Sequence, residues 1–179
     1  MGAIQSLEST LQDWFVKKAP ALPDNAKDIL VKYLPWINLV FGILALYLVY
    51  ALWHWAHTAN NLVDFANNLS AAYGGSTVDT TSMNFGIWLA IIVLAVEALL
   101  YIVAFPATRD RKKSGWNLMF YAMLVNIAYG VVVMFTAYGD FSNFIGSVIG
   151  SAIGLYLLFQ IRSRYLQKES ARRSPAKKS

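Results

Sequence analysis

The chain has no cysteine and only two histidines among its 179 residues. That excludes disulfide staples, thiol catalysis and Cys-ligated metal centres. Charge is scarce as well: 14% of the residues are Asp, Glu, Lys or Arg, against a hydrophobic share of 57%. Such a balance lies outside the range of soluble domains. The sequence holds no phosphate loop, HExxH pair or nucleophile elbow, and its carboxylates do not pair for acid–base work. Neither an enzyme nor a cofactor is therefore expected. A secretory signal peptide is not expected either, because charged residues fill the opening stretch where an apolar run would stand.

What is present comes in blocks. Residues 85–105 read FGIWLAIIVLAVEALLYIVAF, apolar except for Glu97. A helix of that length covers ~30 Å, the thickness of a bilayer's hydrocarbon core. Three more stretches are of the same kind, so spans are expected over about 34–55, 84–105, 116–137 and 144–161. The predicted fold is an all-α integral membrane protein, a four-transmembrane-helix bundle occupying residues 34–161. Residues 1–33 form a cytoplasmic interfacial segment, and residues 162–179 a basic tail without apolar periodicity, expected to be disordered past Gln167.

Within the opening segment, Ile4, Leu7, Leu11, Trp14 and Phe15 recur at helical spacing. That amphipathic helix either lies in the membrane interface or packs on the protein's own cytoplasmic face. The pair of prolines at Pro20 and Pro23 ends it. A short basic helix is expected over 25–33, with Pro35 in the first turn of the first span. That span ends in Trp53-His54-Trp55, an aromatic belt. In the loop beyond it, Asn60-Asn61-Leu62 recurs seven residues later as Asn67-Asn68-Leu69. Leu62, Phe65, Leu69 and Tyr73 then share one face of a short helix stopped by Gly74-Gly75, and a lid on the bundle's outer end is expected. The second span should begin at an Asn84 cap and stop at Pro106.

Charge sets the orientation. Four spans put the opening segment, the 107–115 loop and the tail on one side, and together these hold all 15 Lys and Arg residues. The positive-inside rule then places the protein in the cell membrane as a multi-pass protein with both termini cytoplasmic. Attraction to anionic lipid headgroups is a second use of the same charge. Nucleic acid is not expected as a partner.

Three polar side chains fall at nearly one depth: Glu97 ~12 Å, Asn126 ~15 Å and Ser151 ~15 Å from the cytoplasmic ends of their spans. This layer is either interhelical glue, with a neutral Glu97 bonded to Asn126, or a proton or cation site. Gly146, Gly150 and Gly154 repeat at intervals of four, a glycine zipper that lets another helix approach closely. The partner is a helix of the same chain, a second copy, or a larger membrane complex. His54 and His57 share a helix face and are weak candidates for a metal, lacking a third ligand. Asn68-Leu69-Ser70 is a glycosylation sequon and Gly2 with Ser6 fits a loose acylation pattern, both short enough to arise by chance. The expected function is a non-catalytic helix-packing component or accessory subunit. The alternative is a small transporter or channel subunit using Glu97.

Overall fold

The structure, a computed structural model, describes residues 2–77, 81–135 and 141–166. These residues are helical nearly throughout. In chain order they form α1 (Ala3–Gln12), a π-helical turn over Asp13–Lys18, α2 (Asp24–Ala72), α3 (Thr81–Arg109), α4 (Lys113–Met134) and α5 (Phe141–Gln160). A further helical turn covers residues 162–166. Three of the helices are long and apolar enough to cross a membrane: α2, α3 and α4. In α5 the apolar stretch among the residues searched is shorter, Val148–Gln160.

Several boundaries differ from the sequence reading. The basic helix, the first span and the proposed lid are one 49-residue helix, α2. Pro35 lies inside it, buried, where a proline removes only its own N–H from the ladder and the flanking turns continue. No break follows Trp55, because residues 56–72 contain neither glycine nor proline and include five alanines. The helix ends where expected. Gly74 adopts a φ of 71°, and Gly75 N–H donates to Ser70 O at 2.8 Å while Gly74 N–H donates to Ala71 O at 3.2 Å. This is a Schellman arrangement, which satisfies the last carbonyls. Leu62, Phe65, Leu69 and Tyr73 are all exposed, so the segment is not a lid over the bundle.

Pro106 likewise falls within α3, which continues to Arg109. Thr108 supports that last turn by donating its hydroxyl to Ala104 O at 2.8 Å. The expected 107–115 loop shrinks to residues 110–112, closed by Lys112 N–H donating to Ala107 O at 2.8 Å with Arg111 at a φ of 53°. α4 starts three residues before the expected span. The expected turn over 138–143 and the tail past Gln167 lie largely or wholly outside the described residues.

Consecutive helices pack on one another, α2 on α3, α3 on α4 and α4 on α5. The α2–α3 crossing is close at Gly42, where a Cβ would come 2.8 Å from Ile102 Cγ1. The buried core is concentrated at one end. There Trp116, Met119 and Phe120 of α4 meet Leu155, Leu158 and Phe159 of α5, together with Val31, Ile161 and Tyr165. Elsewhere the long helices turn large apolar side chains outward, including Phe41, Tyr47, Ile92 and Leu99, a pattern suited to a lipid rather than an aqueous surround.

Of the two placements weighed for the opening segment, packing on the chain itself is seen. Leu11 and Phe15 join the core, and Phe15 lies 6.2 Å from Phe159 and 6.4 Å from Tyr156, ring centre to ring centre. Trp14 stays exposed.

Candidate functional site: a buried carboxyl and an open glycine face

Glu97 sits midway along α3, and only 7% of it is exposed. Asn126, on α4, is within hydrogen-bonding reach of its carboxyl. The carboxyl oxygen Oε1 is nevertheless buried without a partner. Two phenols, Tyr101 one turn along α3 and Tyr129 on α4, lie in its neighbourhood. Glu97 and Asn126 are thus brought together across the α3–α4 contact.

Ser151 is placed elsewhere. It lines a cavity of about 200 Å³ between α4 and α5 with Ile127, Gly130, Val131 and Leu155, and Phe15 contributes to the wall. The three polar residues share a depth but not a contact surface, because α4 turns Asn126 toward α3 and Ile127 toward this groove. Depth can be counted from sequence, whereas the azimuth of each helix depends on packing.

The three glycines expected to form one zipper differ in their surroundings. A Cβ on Gly154 would meet the Met123 methyl at 2.9 Å, so this glycine serves the α4–α5 contact. Added at Gly146 or Gly150, it would have no neighbour within 4 Å. His54 and His57 are exposed on α2 and lie against aromatic rings of their own helix, Tyr50 at 6.2 Å and Trp53 at 4.8 Å. Among the described residues, no third ligand-bearing side chain joins them.

A second polar cluster, at the end that holds the buried core, has no counterpart in the sequence reading. Arg162 reaches from the end of α5 to Gln12 Oε1 at 2.5 Å and to Glu8, and its guanidinium lies over the Trp116 ring. Gln160 is buried, donating to Phe15 O at 2.7 Å and accepting from Leu22 N–H at 3.1 Å. Tyr156 donates to Pro20 O at 2.7 Å. Side chains of α5 thereby satisfy backbone groups of the strap over 15–22, which has few ladder bonds of its own. The signal in sequence was Gln160, a polar side chain near the end of an apolar run. A parallel case is Asn38, the strongly polar member of the first span, buried and donating its amide to Met119 Sδ at 2.9 Å.

The protein has a buried carboxyl at one helix contact, an apolar groove at the next, and a terminal helix whose glycines are unevenly used. The chain matches no protein-family model, no curated protein and no solved structure.

Proposed function

We propose that the protein is a non-catalytic multi-pass component of the cell membrane that docks against another membrane helix through α5. The supporting observation is the contrast among glycines. Gly42, Gly115 and Gly154 each stand hard against a neighbour, while Gly146 and Gly150 face open space. In lipid no hydrophobic drive brings helices together, so a smooth small-residue face gains its value from close contact with a second helix. Four crossings, with α5 as the last, leave both ends in the cytoplasm and the basic residues beside anionic headgroups.

Gly150→Leu tests this reading. The wild-type protein in mild detergent should have a mass above that of one chain, and the variant should form a smaller assembly at unchanged thermal stability. An unchanged mass would overturn the reading.

A second reading rests on the unpartnered oxygen of Glu97: a transporter or channel subunit in which this carboxyl takes up a proton or cation. Glu97→Gln keeps the shape and discriminates. If the residue is glue, the variant folds and assembles normally and liposomes show no flux from either protein. If it is a transport site, wild-type liposomes show pH-dependent flux that the variant loses.

A further inference from the structure

The repeat Asn60-Asn61-Leu62, Asn67-Asn68-Leu69 carries its leucines on an exposed face of α2. The structure places it on the last turns of α2, with Leu62, Phe65 and Leu69 exposed at 64%, 69% and 50%. Gly42 is level with Ala98 and Ile102 of α3. The start of α3 is therefore level with about residue 61 of α2, and about eleven residues, ~16 Å of helix, extend past it.

The exposed stripe has a heptad period. Trp55, Thr58, Leu62, Phe65, Leu69 and Ala72 are separated by three and four residues alternately, the a and d positions of a coiled coil. A stripe held to a 3.5-residue repeat fits a helix supercoiled around it and drifts off a straight one. The face α2 turns inward, with Asn38, Gly42, Ala45 and Ala56 buried, lies about 155° away round the helix. The stripe is thus free to meet a partner while α3 stays packed.

We propose that this outer part of α2 pairs in parallel with the same segment of a second copy of the chain, as a two-stranded coiled coil. Two observations select a second copy as the occupant. The positions flanking the seam are Ala59, Asn61, Ala66 and Asn68, all uncharged, so identical helices meet no like charge. Asp64, the one charged residue of the segment, lies at a c position, pointing away from the seam. The membrane supplies the rest. Two copies inserted in the same sense hold their α2 helices parallel with Leu62 level with Leu62, the register a homodimer needs. This inference rests on the membrane reading but not on the α5 contact.

Disulfide scanning tests it in native membranes, since the chain has no cysteine of its own. Single cysteines at Leu62, Phe65 and Leu69, and at Asn60 and Asp64 as off-seam positions, are oxidised with copper phenanthroline. The seam positions should give about fivefold more covalent dimer than the others, as knobs-into-holes packing requires. A flat profile, or a maximum at Asn60 and Asp64, would overturn the proposal. Repeating the scan in the Gly150→Leu background separates the two contacts: persistence of the 62, 65, 69 pattern shows a seam independent of α5, and its loss would overturn that independence. Leu62→Ser with Phe65→Ser, both exposed and neutral to folding, should reduce the dimer fraction in detergent several-fold. Unchanged dimerisation would count against the seam.

Discussion

The Arg162 guanidinium lies 5.1 Å from the centre of the Trp116 ring, and the same indole donates Nε1–H to Leu158 O at 2.9 Å. Trp116 is thereby bonded at its edge and covered on its face, with Phe120 stacked at 5.4 Å and Phe159 edge-on at 5.3 Å. It ties the start of α4 to the end of α5, and through Arg162 to Glu8 and Gln12 of α1.

Trp116→Phe keeps an aromatic ring but removes the donor and the stronger π face. The expected loss is about 1–3 kcal/mol. Because Arg162 covers that face, Arg162→Ala should cost less in the Trp116→Phe background than in the wild type. Reversible unfolding in mixed micelles measures all three variants. Strict additivity would contradict the coupling.

Glycine substitutions should rank by what a methyl group meets. At Gly115 a Cβ would lie 2.5 Å from Thr108 N and 2.7 Å from Ala107 C. Both are backbone atoms of the last turn of α3, so Gly115→Ala should destabilise by about 1–3 kcal/mol. At Gly154 the obstacle is the end of the flexible Met123 side chain, and the cost should be smaller. Gly146→Ala meets nothing within 4 Å among the described residues and should leave thermal stability unchanged or raised, since alanine favours a helix. Thermal unfolding in detergent gives the order directly, and a Gly146→Ala protein as unstable as Gly115→Ala would refute it.

These positions mark what the sequence could and could not show. Length and hydropathy located the long helices, and charge placement supplied an orientation. Helix punctuation was over-read at Pro35 and Pro106, because within a long packed helix a proline forfeits one backbone bond while neighbouring turns hold the geometry. Gly74-Gly75 was read correctly because a left-handed residue can satisfy the terminal carbonyls only at a helix end. The Glu97–Asn126 neighbourhood followed from counting depth, but Ser151 did not join it, since depth carries no azimuth. Arg162 and Gln160 were hidden by their setting. A polar residue at the end of an apolar run looks interfacial until a second segment, here residues 8–22, is seen to fold onto it.

Tyr165 gives the fold an alkaline limit. It is fully buried, its hydroxyl has no partner, and burial pushes its phenol up to about 12, with Arg111 acting in the opposite sense. The folded protein therefore holds this proton more tightly than the unfolded chain, whose tyrosines titrate near ~10. Its contribution to stability is complete below pH ~10 and declines as pH rises from there through the folded value. Tyr165→Phe should flatten that decline. It should also raise stability at neutral pH by up to about 1 kcal/mol, because an unsatisfied hydroxyl is removed. Melting curves from pH 8 to 11, in roughly the range where an exposed phenol would titrate, provide the check. A variant with the same alkaline loss as the wild type would assign it to other groups.

The proposals for α5, the outer part of α2 and the basic face all require that the chain cross the bilayer an even number of times with its ends in the cytoplasm. Single cysteines at Ser76 and Ser174, in a chain otherwise free of thiols, test this with a membrane-impermeant maleimide. In intact cells Ser76→Cys should be labelled and Ser174→Cys protected until the membrane is permeabilised. Labelling of Ser174→Cys in intact cells would contradict the account.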